Sequence, residues 1–453
     1  MFLRKDYTAE ALECGSLPFY FSAKMTEKKY RLSRRAFLRN GVVAGAMCAL
    51  PVIVPSSVFG EDAPSNRITI GIIGTGSQGI LNLKAFLRKP SAQATAVCDV
   101  DYAHREEARR IGRLSADSSY NDFRELLARQ DVDAVAVCTP DQWHVPISIA
   151  AAKAGKDIYC EKPLAFNVAE GRMLCDTVKR YERVLQTGSH QRSDNNFRHA
   201  CELVRNGRIG KLQTIKVEIP ENSRPNPLTW KTEPPPAGLD YDLWLGPAQY
   251  RPYIREGCHY NWHFIYDFGG GQLTNWGAHA FDIAQWGNGT DLTGPVEVSG
   301  TGVFPKEGLF ETPLSYDIEY KYANGVRLLC KTGKAGIQES PVRFEGTEGW
   351  IFVSRESFFS QPTSLVQSTT RPDEVHLYRS KDHHQNFLDC IRLRTKTAAD
   401  VETGHRSVTV CHIGGIAVRL GRTLRWDPAG ERFINDAEAD KMLTRPMRSP
   451  WRL

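Results

Sequence analysis

No CxxC pair and no Cys/His spacing of the zinc-binding kind occurs in this chain, which argues against a metal-built fold or a dithiol redox centre. The eleven cysteines fall to nine once Cys14 and Cys48 are set apart with the N-terminal leader, an odd number with no disulfide framework. Cys98, Cys138, Cys160 and Cys330 lie in or beside apolar runs, where cysteine behaves as a small buried hydrophobe. No cysteine nucleophile and no metal site is expected. Internal repeats and low-complexity tracts are also missing. The longest apolar run, Gly41 to Val54, has fourteen residues, short of the ~20 that span a bilayer. The basic balance is local too. Residues 1–60 hold nine Lys/Arg against four acids, so the leader carries +5 of the net +6 and the remainder is nearly neutral. That remainder has no nucleic-acid footprint.

What the leader does contain is Arg34-Arg35 followed by Phe37-Leu38 and the apolar run. This resembles a twin-arginine export signal, with cleavage after Gly60, and implies a periplasmic or otherwise exported protein. Met25 is an alternative start.

The informative stretch is Ile68 to Gly79, an apolar strand pattern running into Gly74-x-Gly76-x-x-Gly79 and then a helix-like segment. The first glycine permits a tight turn and the second lets backbone approach a pyrophosphate. The third allows close helix packing, and the amides around Ser77 and Gln78 then meet the anion. About twenty residues on, a second strand pattern carries Asp99 at its end, placed to bind an adenosine ribose. The carboxylate repels a 2′-phosphate, so NAD is favoured over NADP, with Arg105 close enough to soften the preference.

About 390 residues beyond the leader exceed one comfortable core, so two domains are expected. From residue 67 to 190, strands at Ile68–Ile73, Ala94–Val100, Ala134–Thr139, Asp157–Cys160 and Val184–Thr187 alternate with helices such as Val145–Ala154 and Val168–Tyr181. This α/β pattern predicts a doubly wound parallel sheet. After a helix at Asn195–Arg205 the character changes. Strands at Lys211–Ile219, Val296–Val303, Ser315–Tyr322, Val326–Lys331, Val342–Phe344 and Trp350–Val353 predict an α+β domain over 191–430 with a large, mostly antiparallel open sheet. Asn324-Gly325 marks a hairpin. Helices at Asp382–Arg392 and Thr403–Leu420 are expected to pack back on the first domain, and 431–453 is read as a tail.

Two clusters carry chemistry. The fourth strand ends in Glu161-Lys162-Pro163, and ligands bind beyond the carboxyl ends of such strands. A lysine there is able to polarise a substrate oxygen. It also reads as a strand-end lysine in solvent. The second cluster is Asn275-Trp276-Gly277-Ala-His279-Ala-Phe-Asp282, within a helix continuing to Trp286. Asn275, His279 and Asp282 recur at i, i+4 and i+7, and an imidazole suits general-base removal of a hydroxyl proton. The plain alternative is a capped helix-start histidine.

Taken in order, the glycine motif, Cys138-Thr-Pro140-Asp-Gln-Trp-His144, Glu161-Lys-Pro163 and Gly277-x-His279-x-x-Asp282 resemble the Gfo/Idh/MocA oxidoreductases across roughly residues 67–430. The export leader matches an exported branch of them. The resemblance implies a Rossmann domain, a C-terminal α/β domain whose open sheet often forms homo-oligomer contacts, and a nicotinamide cofactor. It makes Lys162 the lysine that binds the reacting hydroxyl and His279 the catalytic histidine. Thr139, Pro140, His144 and Glu161 would line the nicotinamide side. One departure stands out: the family pattern has Asp four residues before that histidine, and this chain has Asn275. Gln191, Arg192, Asn261, Trp262, His263, Trp276 and Asp282 are carried as carbohydrate contacts, with His190 and Tyr260 beside them. The expected activity is NAD(P)-dependent oxidation of a sugar or cyclitol CH–OH by a tightly held cofactor. The alternatives are a redox-neutral glycosidase working through a transient keto-sugar, and a non-catalytic nucleotide- or sugar-binding homologue.

Overall fold

Ile68–Ile73 forms β1, buried along almost its whole length, as expected of a strand covered on both faces of a parallel sheet. The computed structural model describes residues 66–222, 224–333 and 339–453. The expected twin-arginine signal and its cleavage point fall outside the described residues. Around β1 are β2 (Ala92–Cys98), β3 (Ser119–Tyr120), β4 (Ala134–Val137), β5 (Asp157–Cys160) and β6 (Leu185–Thr187), all parallel in the order 3-2-1-4-5-6. The order reverses between β1 and β4. Loops leaving these two strands diverge and open a crevice at their carboxyl ends, the usual ligand position.

The helices between them set the crevice walls. Ser77–Leu87 (α1) follows the glycine turn, and Tyr102–Gly112 (α2) is capped by Asp101, which accepts from the amides of Ala103 and His104. Phe123–Leu127 (α3) is short. Asp141–Lys153 (α4) starts four residues earlier than Val145, because Pro140 at φ −58° already presets the helix entry. Asp141, Trp143 and His144 therefore sit on its first turn rather than in a loop. Val168–Arg180 (α5) completes this half.

The second half is a nine-stranded sheet in the order β13-β12-β11-β7-β10-β9-β8-β14-β15. Its long strands are β7 (Leu212–Ile219), β8 (Glu297–Val303), β9 (Ser315–Lys321) and β10 (Arg327–Thr332). Then come β11 (Val342–Gly346), β12 (Trp350–Val353) and β13 (Phe358–Gln361). The last pair is β14 (Leu424–Asp427) and β15 (Arg432–Phe433). Only β7 and β10 pair in parallel. The β9–β10 hairpin turns at Asn324-Gly325, where Gly325 takes φ +86°.

Alternation decides the faces. Ile215, Val217 and Ile219 of β7 point inward, while Lys216 and Glu218 point out. The inward face is covered by Asn195–Arg205 (α6), Gly277–Asn288 (α9) and Val401–Leu420 (α11), through Phe197, Phe281 and Ile413. Burying a side chain such as Phe281 stabilises by about 2–3 kcal/mol.

Two connections tie the halves. His383–Leu393 (α10) and α11 return to the first sheet: Thr187 N–H donates to Ala399 O, and Gln186 Nε2 donates to His383 O. The last residues do the same. Arg445 binds Glu170 and the carbonyl of Gln142, and Trp451 packs edge-on against Trp143. Residues 431–453 are thus β15, the short helix Ala437–Lys441 and a segment packed on the first sheet, not a trailing end.

Candidate active site

The glycine loop performs three separate tasks. Gly74 takes φ +83°, and a Cβ there would meet the Cys138 and Thr139 backbone at 2.7 Å. A Cβ on Gly79 would lie 1.9 Å from Gly74 O, so only glycine lets α1 close on the turn. Gly76 has nothing within 4 Å of its Cβ position and forms the uncapped N-terminus of α1. Open space, bare amides and the helix dipole together make an anion seat.

Asp99 faces this turn. Its Oδ2 accepts from Thr75 N–H at 2.6 Å and Thr75 Oγ1 at 3.2 Å, and its Oδ1 accepts from Asp101 N–H. Burial pushes its pKa up, against the two backbone hydrogen bonds. Arg105, expected to soften a preference against NADP, donates through Nη1 to Asp99 O and Asn121 Oδ1 and is not among the residues that line the adjoining cavity.

A cavity of about 540 Å³ runs from this turn to the ends of β4 and β5. Gly74, Gly76, Ser77, Gln78, Asp99, Thr139, Pro140, His144, Glu161, Lys162 and Asn275 line it, with Trp262 and His263 opposite. Thr139 Oγ1 is buried with no protein partner. The open glycine seat, the distal acid and this orphaned hydroxyl fit a dinucleotide: Ser77 and Gln78 at the diphosphate, Asp99 at a ribose, Thr139 and Glu161 toward the nicotinamide.

At the reacting end Lys162 Nζ donates to Asn275 Oδ1 at 2.7 Å and to Asn275 O at 3.1 Å. Gln272 Oε1 accepts from Asn275 Nδ2, which fixes the amide with its oxygen toward the lysine. Burial lowers the Lys162 pKa, while Glu161 and Asp141 raise it and Arg355 lowers it further. Glu161 accepts from Gln78 Nε2 at 3.1 Å and Asn82 Nδ2 at 2.8 Å. Burial favours its neutral form, but His190 first, then the Asn82 hydrogen bond and Lys162, outweigh it and hold the carboxyl below its ordinary range. The glutamate is an ionised brace between α1 and the lysine.

His279 is buried, and its Nδ1 has no protein partner. Burial first, then Lys162 and Arg355, push its pKa well below the ordinary value. The ring is held neutral, and it lies behind the cavity wall rather than among the residues that line it. The expected single helix is broken: Gln272–Asn275 (α8) ends, Trp276 intervenes, and α9 begins at Gly277. His279 N–H bonds Trp276 O, three residues back, and Asn275 turns to Lys162 and Gln272 instead of the imidazole.

His144 is a tie. Its ring nitrogens reach Pro163 O at 2.7 Å and Thr139 O at 2.9 Å, linking the loops after β4 and β5. His263 is pushed down to about 3 by burial and stacks on Trp262 at 3.6 Å, a neutral aromatic wall suited to a sugar face.

Several sequence-based candidates lie elsewhere. Arg192 and Asp282 form a buried ion pair at 2.7 Å, closed by Asp291 and Ser407, and neither reaches the cavity. Their charges are spent on packing α9 and α11 against the segment after β6. Gln191 is buried in that same segment, away from the cavity wall. Asn261 donates to Glu256 O within its own loop. Trp276 carries Arg355 over its ring at 5.0 Å, outside the cavity. His190 donates to or accepts from Tyr159 OH at 2.8 Å, beside Glu161.

Residues the sequence reading passed over also line the cavity. Asp141, Trp244, His104 and His259 are among them. Asp141 stands inside a quoted motif, whereas His104 on α2 and His259 at the start of the 3-10 turn His259–Phe264 come from distant segments that only the fold brings together.

Two family profiles match: the NAD-binding Rossmann fold of the Gfo/Idh/MocA oxidoreductase family over residues 68–189, and its C-terminal alpha/beta domain over 227–453. The chain is 34% identical to a myo-inositol 2-dehydrogenase of Thermotoga maritima over 172 residues, which is 38% of this chain and 47% of that protein. It is 31% identical to a glycosyl hydrolase family 109 protein of Saccharopolyspora erythraea over 207 residues, 40% of this chain and 44% of that one. The chain thus spans about half the length of these curated relatives. In fold it is similar to the WlbA dehydrogenase from Bordetella pertussis, solved with NADH and UDP-GlcNAcA, at TM-score 0.61, 16% identity, and coverage of 80% of this chain and 99% of the other. The chain belongs to the Gfo/Idh/MocA oxidoreductase family, with an NAD-binding Rossmann fold and a C-terminal α/β domain carrying a mostly antiparallel mixed sheet.

Proposed function

We propose that this protein transfers a hydride between a sugar or cyclitol hydroxyl carbon and a tightly bound NAD, oxidising CH–OH to a carbonyl or running the reverse reduction of that carbonyl. The observation that carries it is the pairing of Lys162 with Asn275 on the wall of the dinucleotide cavity. NAD, when bound, supplies the hydride acceptor. Lys162 keeps one N–H free of Asn275 and presents it to the substrate oxygen, where developing negative charge is stabilised. His279, neutral and with an unpartnered nitrogen, takes the hydroxyl proton. Trp262 and His263 give the sugar an aromatic face. The test uses purified protein, NAD and a panel of hexoses and cyclitols, followed by formation of reduced nicotinamide. Turnover that is lost in Lys162→Met with cofactor still bound supports the reading.

The glycosidase alternative draws on the family 109 relatives. Its distinguishing result is release of an aglycone from a glycoside with no net reduced cofactor. A third reading, binding without turnover, is motivated by Asn275: it gains ground if only Asn275→Asp turns over. Export through the Arg34-Arg35 leader belongs to the same proposal and supports a resident, internally recycled cofactor. Fractionation of cells expressing the full chain tests it, and Arg34→Lys with Arg35→Lys should strand the protein in the cytoplasm.

A further inference from the structure

Asp141 is 3% exposed, lines the cavity with Lys162 and His263, and makes no hydrogen bond through its buried Oδ1. No ion pair reaches it among the described residues. The two cations near it form no ion pair with it, although Lys162 keeps one N–H and Arg445 its buried Nη1 without a protein partner. Lys162 gives two hydrogens to Asn275, and Arg445 gives Nε to Glu170 and Nη2 to the Gln142 carbonyl. On β5 and α11 the groups that feel its charge are Cys160 and Cys411, thiols that burial keeps protonated. On its own helix, His144 is tied to two carbonyls. A carboxylate so buried, with no cation paired to it, is driven toward its protonated form.

We propose that Asp141 stands in this pocket as a neutral carboxylic acid, and that its O–H and the free N–H of Lys162 together receive the oxygen of the bound polyol. This rests on the polyol reading above. Two converging donors suit an oxygen that gains negative charge as its carbon loses hydride, and a charged Asp141 would oppose that. Burial, outweighing the attraction of Lys162 and Arg445, pushes the Asp141 pKa up to about 8, in agreement with the geometry.

The first arm needs no substrate. Infrared difference spectra of NADH-loaded wild type against Asp141→Asn should contain a carboxylic-acid C=O band at neutral pH that fades as the pH passes about 8. A spectrum without that band overturns the proposal. The second arm measures myo-inositol binding to the same NADH-loaded proteins. Wild-type affinity should fall about tenfold per pH unit above the transition. Asp141→Asn, whose amide still donates, should lose only two- to threefold at neutral pH and show no such fall, while Asp141→Ala should lose tenfold or more. An Asn variant as weak as the Ala variant, or one whose NADH affinity drops, overturns the proposal by assigning Asp141 a carboxylate role or a nucleotide role. If Asp141→Ala does not fold, the Asn comparison and the infrared band still decide. If no polyol binds any variant, the polyol reading fails, and the band alone reports whether Asp141 is protonated.

Discussion

The Lys162 ammonium lies 2.7 Å from the side-chain oxygen of Asn275, a residue 113 positions later in the chain. The amide sits where a carboxylate was expected, and it anchors the lysine instead of the imidazole. Removing one hydrogen bond to a charged group costs about 1.5–3 kcal/mol, so Asn275→Ala should lower turnover about tenfold to a hundredfold with nucleotide affinity little changed. Asn275→Asp should place a negative charge beside the ammonium, raise the lysine pKa and move the basic limb of the pH–rate profile upward. A profile that does not move contradicts this pairing.

The glycine loop gives a pair of opposite outcomes. Gly79→Ala drives a methyl to within 1.9 Å of Gly74 O and should destabilise the protein by several kcal/mol, about 3 or more, or prevent folding. Gly76→Ala meets nothing within 4 Å and sits at φ −66°, so its melting temperature should be unchanged. Its cost should appear in NAD affinity alone. Thermal melts with and without nucleotide separate the two effects.

Acid should weaken a cluster far from the cavity. Arg172 bridges Glu402 and Glu431, with Arg406 on Glu402 and His405 on Glu431. Burial raises both carboxyl pKa values, but the hydrogen bonds from these side chains win and bring each to about 2. Because the folded values lie below the unfolded ones, the stabilisation is present above about pH 4.3 and is lost as the pH falls toward 2. Melting temperatures across that window should drop less in Arg172→Met than in wild type.

Asp99 should govern cofactor choice. Asp99→Asn removes the charge that opposes a 2′-phosphate while keeping an oxygen for the Thr75 amide. The preference for NAD over NADP should narrow by about tenfold, near 1.4 kcal/mol. It should not invert, since Arg105 stays fastened to Asp99 O and Asn121. Binding constants for the two reduced cofactors measure this.

Much of the architecture was written in local pattern. The period-two strands around Ile215 and Ile318, the Asn324-Gly325 turn and the glycine loop all depend on neighbours a few residues away. Short partners such as Ser119–Tyr120 and Arg432–Phe433 were not legible, because two residues carry no periodicity and pair only once longer strands are in place. The site divides the same way. Lys162 and Asn275 were named from motifs, but their contact is a tertiary fact. Arg192 and Asp282 looked like carbohydrate contacts because hydroxyl-binding side chains stand near aromatic residues in the sequence; in the fold they pair with each other. Asp141 was overlooked since the expected helix began at Val145 and left it in a loop, and only burial gives it chemistry.

The most direct measurement follows deuterium. NAD-loaded protein is incubated with hexoses and cyclitols deuterated at the carbinol carbons, then denatured, and the released nucleotide is weighed by mass spectrometry. Reduced nicotinamide carrying one deuterium, formed by wild type and absent in Lys162→Met, is the predicted result. Nucleotide that never acquires deuterium from any sugar, cyclitol or glycoside would contradict the assignment of this cavity as a site of hydride transfer.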